Sequence, residues 1–106
     1  MSAKTRKQQL EELLADDPND PFLRYGLAME YVSAGDHAAA VGHFQQLLTA
    51  SPDYVPAYLQ AGQALIRLGR AAEAREVLGR GIGAARAQGD LHAAEEMQGF
   101  LASLGS

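Results

Sequence analysis

LAMEYVSAGDHAAAVGHFQQLLTASP, residues 27–52, lies over AGQALIRLGRAAEAREVLGRGIGAAR, residues 61–86, when the chain is shifted by 34 positions against itself. Leu27-Ala28 falls on Ala61-Gly62, Tyr31 on Leu65, Gly35 on Gly69, Ala40 on Ala74 and Phe44 on Leu78. The overlay extends both ways. Pro18 meets Pro52, the Leu10, Leu13 and Leu14 set meets Phe44, Leu47 and Leu48, and Met29 and Gln63 lead on to Met97. Recurrence at one fixed period marks a chain built by repeating one supersecondary unit.

Each period holds two helices. Apolar residues recur at three- and four-residue spacing, as in Leu10, Leu13 and Leu14 or Ala40, Val41, Phe44, Leu47 and Leu48. Breakers divide them. Asp16-Asp17-Pro18-Asn19-Asp20-Pro21 stops one helix and starts the next, with Asn19 or Asp20 as N-cap and Pro21 in the first turn, where its missing N–H costs nothing. Ser51-Pro52-Asp53 repeats that signal; Gly35-Asp36, Gly69 and Gly89-Asp90 mark the remaining breaks. The pattern predicts helices over 3–16, 21–34, 37–50, 54–68, 71–88 and 90–104. No segment alternates with period two, so no strand is expected.

A period of 34 with two helices per period resembles the tetratricopeptide repeat family. The residues carrying the likeness are Leu27, Ala28, Tyr31, Ala40, Phe44, Leu47 and Pro52, then Ala61, Gly62, Leu65, Ala74, Leu78 and Gly81. The resemblance covers nearly the whole chain and implies an all-α fold, a right-handed α–α superhelix of six antiparallel helices. Residues 1–106 then form a single domain: an N-terminal half-repeat at 3–16, a repeat over 21–52, another over 54–88, and a C-terminal capping helix at 90–104. Two departures stand out. Arg24 replaces the family's large aromatic early in the first helix, with Tyr25 one place over, and Arg86 replaces the closing proline of the second repeat, so that its last helix should run on to Gln88.

Small residues at 28, 40, 62 and 74 are expected where paired helices cross, because a larger side chain would push the axes apart. Stacking is compulsory in such a fold, since one hairpin cannot bury both its faces.

Composition excludes several functions. Thirteen acids against nine bases give a net charge of −4, which argues against a nucleic-acid binder; the one basic cluster, Lys4, Arg6 and Lys7, is read as a solvated helix start. No cysteine is present, so disulfides and thiolate-bound zinc are absent. The opening residues from Met1 to Gln9 hold no apolar signal core, and no apolar run approaches the ~18 residues needed to span a bilayer. A soluble cytoplasmic protein is expected.

His37, His43 and His92 offer no i, i+4 pair for a metal, so surface or packing roles are expected, with His92 standing where Tyr58 stands one repeat earlier, in the last interface. The run Gly79-Arg80-Gly81-Ile82-Gly83-Ala84 mimics a nucleotide fingerprint, but it sits inside a helix with no strand before it. Close approach of the terminal helix is the expected reason for its glycines, with local flexibility as the competing one. Neighbouring acids such as Glu11-Glu12 and Glu95-Glu96 point to different parts of a helix surface, and no serine has a histidine and an acid at triad spacing. No enzyme, metal or cofactor is expected.

In the family, the first helix of each hairpin lines a concave groove that takes peptides or partner helices. The resemblance places Phe22, Tyr25, Met29 and Val32, then Leu59, Gln60, Gln63 and Arg67, then Ala93 and Met97 on that face; Val32 and Met97 have a competing reading as core filler. The cationic clamp that some family members use for acidic C-termini is missing, its positions holding Tyr25, Met29, Gln60, Asp90 and Ala94. The expected function is a protein- or peptide-binding adaptor, monomeric if the outer face of 90–104 is polar, as Glu95, Glu96 and Gln98 suggest. The alternative is self-assembly into a homo-oligomer, a homodimer for instance, through the terminal half-repeats.

Overall fold

Turn chemistry sets where each helix begins. The computed structural model describes residues 3–105; Met1, Ser2 and Ser106, included in the domain assigned above, lie outside the described residues. Among the described residues there are six α-helices and no strand: α1 (Arg6–Asp16), α2 (Pro21–Ser33), α3 (His37–Ala50), α4 (Val55–Arg67), α5 (Ala71–Ala87) and α6 (Leu91–Ser103). The first starts at Arg6 rather than at residue 3, because Thr5 caps it. The Thr5 hydroxyl accepts from the Gln8 N–H at 3.1 Å and the Gln8 side chain accepts from the Thr5 N–H at 2.9 Å, a reciprocal box that satisfies two otherwise orphaned donors.

Asp20, Asp36 and Asp90 cap α2, α3 and α6 in a simpler way, each accepting one backbone N–H at 3.1 Å. Asp20, not Asn19, is thus the cap of α2, with Pro21 in its first turn. Arg70 stands in the capping position of α5 and makes no cap bond, binding Glu73 instead at 2.6 and 2.9 Å.

Helices α2, α4 and α5 end alike. Gly35, Gly69 and Gly89 take φ of 79°, 74° and 72°, the left-handed region where a side chain would be strained. The next residue's N–H then reaches back to a carbonyl of the last turn: Asp36 to Tyr31, Arg70 to Leu65 and Asp90 to Ala85, at 2.8–2.9 Å. The connections α1–α2 and α3–α4 use the longer Pro18 and Pro52 loops instead.

The helices stack in chain order, giving a body of 52 × 28 × 20 Å. Its main core runs from α2 to α6 around Phe44, Leu65, Leu78 and Met97, all fully buried. Ala28, Ala40 and Ala74 are also fully enclosed, as crossing points require. Gly62 shows why: a Cβ there would stand 2.7 Å from the Leu78 Cγ of α5. Helix α1 sits apart, its Leu10 and Leu14 packing with Leu27, Leu23 and Tyr31 in a separate small cluster.

The 34-residue phase fails at the last helix. Tyr58, Ala61 and Leu65, buried along α4, recur in α6 as Ala94, Met97 and Leu101, a spacing of 36. The cause is α5, which has 17 residues against 14 in α3. Pro52 forbids α3 from continuing and turns Ser51 out of the helical region; Arg86, in the equivalent place, imposes no such stop. Helix α5 therefore gains a turn, and the shorter glycine connection returns only part of it.

Two expectations are corrected by this offset. Met97 is a core residue with no exposed surface, not a groove residue. His92 falls opposite Pro56 instead of Tyr58; it lies in solvent and pairs with Glu96 of its own helix, at 3.0 Å. The glycine run is also only partly explained by helix approach. A Cβ on Gly81 would collide with Tyr58 and Met97, whereas Gly79 and Gly83 face open space.

Candidate functional site

Positions 22, 25, 29 and 32 of α2 and 59, 63 and 66 of α4 recur every three or four residues, so each set shares one face of its helix. Phe22 is 70% exposed, unusual for a phenylalanine. Tyr25, Met29, Val32, Leu59, Gln60 and Gln63 are half-buried, and Arg67 is exposed at the C-terminal end of α4. Ala93 of α6 is half-buried against the core. Of the residues expected on this face, only Met97 is withdrawn into the interior.

Tyr25 anchors the arrangement. Its ring lies 5.9 Å from that of Phe44 in the core and 5.5 Å from that of Tyr54, tilted by 54° and 52°. Such tilted pairs place the positive edge of one ring near the negative face of the other. Burial pushes the Tyr25 hydroxyl above its ordinary pKa, the charge of an ionised Tyr54 adds to the shift, and a hydrogen bond with Gln60 opposes it. The Tyr54 hydroxyl is raised by burial and then by the Asp20 carboxylate. Both hydroxyls are therefore neutral near pH 7 and able to donate.

Tyr54 was not among the residues expected from sequence. It belongs to the loop before α4, where it occupies the capping position without making a side-chain cap. Its signal was available: an aromatic standing where Asp20, Asp36 and Asp90 cap their helices is not there to start a helix.

The opposite side carries a different surface. Between α3 and α5 a cleft of about 200 Å³ opens over Ala61 and Leu65, edged by Gln45, Glu73, Glu76 and Arg80. Nearby, Arg24 turns away from the Tyr25 face to hold the Pro18 carbonyl at 3.1 Å, Gln46 at 3.2 Å and His43 at 3.3 Å. Among the described residues no group of three or more His, Cys, Asp or Glu could hold a metal ion, and no helix is long and apolar enough to cross a membrane.

The face on α2 and α4 is thus apolar with a few neutral donors and acceptors, drawn from alternate helices that both pack on α3 and linked where Tyr25 meets Tyr54. Comparison with known proteins agrees with that architecture. Residues 31–97 match the family model for the tetratricopeptide repeat. A TPR repeat-containing protein of Pseudomonas aeruginosa is 35% identical over 95 residues, covering 90% of each chain. Among solved structures, a protein from Bordetella parapertussis is 30% identical with a TM-score of 0.82, over 96% of this chain and 89% of that one. A tetratricopeptide repeat domain protein from Salinibacter ruber is 33% identical with a TM-score of 0.77, over 83% and 89%.

Proposed function

This chain belongs to the tetratricopeptide repeat family, and from that premise we propose that it is a non-catalytic adaptor that holds a peptide or helix of another protein against the α2–α4 face. The family fold is that of a protein-interaction module in general. The choice of face rests on one observation: Phe22, Tyr25, Met29 and Leu59 present apolar surface that is only partly buried among the described residues. Met adapts its shape to a partner and Tyr adds a hydroxyl, which suits an amphipathic helix or an apolar peptide.

The proposed protein acts as a monomer in the cytoplasm. Leu13 and Leu91, 51% and 65% exposed, lie at the two ends of the stack and favour the self-assembly reading. Each is surrounded by polar neighbours, Gln9, Glu12 and Asp16 for the first and Arg86, Glu95 and Gln98 for the second, which supports capped ends. The cytoplasmic location is supported by the cysteine-free sequence.

Met29→Lys tests the face. Partners captured from the native cytosol by the wild type should be lost by the variant at unchanged circular dichroism. Equal capture by both proteins would move the site elsewhere, with the cleft over Ala61 and Leu65 the next candidate. Light scattering should give a mass near 11.3 kDa; a multiple of it would favour self-assembly.

A further inference from the structure

Helix α1 is held chiefly by α2, through contacts of complementary shape and sign. Leu10 and Leu14 are buried against Leu27 and the half-buried Leu23 and Tyr31, while the core running from α2 to α6 takes no residue from α1. Charge reinforces the fit. The Arg6 guanidinium stands 3.4 Å from the Glu30 carboxylate, and the Lys7 ammonium lies 4.5 Å from the centre of the Tyr31 ring.

The link between the two helices is short and slight. Asp17 precedes Pro18, which keeps it out of the helical region, at φ −140° and ψ 75°, so the chain leaves α1 already extended. The turn is closed by the Asp20 N–H, which donates to the Asp17 carbonyl at 3.2 Å, and is tethered by Arg24, which donates to the Pro18 carbonyl at 3.1 Å. Straightening it separates α1 from α2 without breaking a bond inside either helix.

The surface under α1 therefore takes a helix with a basic pair one turn ahead of two leucines four residues apart. A second copy of the chain carries that helix. We propose that Leu23, Leu27, Glu30 and Tyr31 dock the α1 of a second copy, the two chains exchanging their first helices in a reciprocal dimer. Every contact of the closed chain is then made twice and only the link changes. Docking within one chain through so short a link has an effective concentration on the order of millimolar, so the closed monomer prevails in dilute solution and exchange belongs to concentrated protein. The exposed Leu13 and the α2–α4 face have no part in it.

Charge reversal across the Arg6–Glu30 pair tests the exchange. Arg6→Glu alone sets two acids face to face, and Glu30→Arg alone sets two bases, whether α1 docks within its own chain or on an identical one. Only an exchanged dimer with one chain of each kind restores attraction at both contacts. The two variants, separately and mixed in equal amounts, are equilibrated at about 1 mM and followed by sedimentation velocity at that concentration. The mixture should hold a species of twice 11.3 kDa, about tenfold more abundant than in either variant alone, from about threefold for each restored pair. Both variants keep a negative net charge, so bulk attraction does not bring them together. The double variant Arg6→Glu/Glu30→Arg, which restores the pair within one chain, should return to the wild-type proportion of dimer. Dimer in equal amounts in the mixture and in each variant alone would assign it to another surface and overturn the exchange. A mixture that stays monomeric would overturn it too.

Discussion

Met97 of α6 fills the notch that Gly81 leaves in α5: a Cβ built on Gly81 would lie 2.5 Å from the Met97 sulfur. The Tyr58 Cβ closes the same space from α4, and that atom cannot swing aside as a side-chain end would. Gly81→Ala should therefore destabilise the protein by about 1–3 kcal/mol through overpacking. Gly79→Ala and Gly83→Ala, in the same helix but facing open space, should each stabilise it by about 0.5–1 kcal/mol. Thermal melts of the three variants check the opposite signs.

Met29 and Met97 make a second contrast. Met97→Ala removes a fully buried side chain and should cost about 2–5 kcal/mol. Met29→Ala, half-buried on the open face, should cost less than half as much. Urea titrations of both variants give the comparison; equal losses would return Met97 to the surface.

Arg70 marks an uncapped helix start. With Glu73 three residues on, Arg70→Ser would complete the reciprocal box that Thr5 and Gln8 form at α1. The new cap should contribute about 1 kcal/mol, and the exposed Arg70–Glu73 pair it removes is worth less. A rise in melting temperature is the expected result.

His43 makes stability depend on pH. Its ring stacks on Tyr31 at 5.0 Å and its Nδ1 lies 3.3 Å from the Arg24 guanidinium, while the Lys7 ammonium lies 4.5 Å from the centre of the same tyrosine ring. Burial lowers its pKa first, then Arg24; Glu11 opposes, and Lys7 adds to the lowering. A histidine depressed below its ordinary value near 6.5 is protonated more readily when unfolded, so stability falls as pH drops below that value. The melting temperature of the wild type should decline further between pH 7.5 and 5 than that of His43→Gln. Parallel curves would exclude the effect.

Much of this fold was legible because its decisive residues act locally. Gly35, Gly69 and Gly89 announce left-handed turns, Asp20, Asp36 and Asp90 announce helix starts, and the identity of Ala28, Ala40, Gly62 and Ala74 follows from crossing geometry. The face was legible as far as α2 and α4 keep the 34-residue phase. Arg86 was recognised as a missing stop, but a longer helix rotates and displaces everything after it. Met97 and His92 were misplaced for that reason. Tyr54 was missed because a loop residue belongs to neither helix pattern, and its position beside Tyr25 exists only once α2 and α4 are stacked.

The separate leucine cluster of α1 has an energetic consequence. Because Leu10 and Leu14 share their contacts with Leu23, Leu27 and Tyr31 and not with the layer around Phe44 and Leu65, α1 can detach while the remaining five helices keep their packing. Its amide protons should exchange with solvent through a small opening well before those of α4. The molecule thus has a graded unfolding hierarchy, loosest at its first helix and most cooperative around α4.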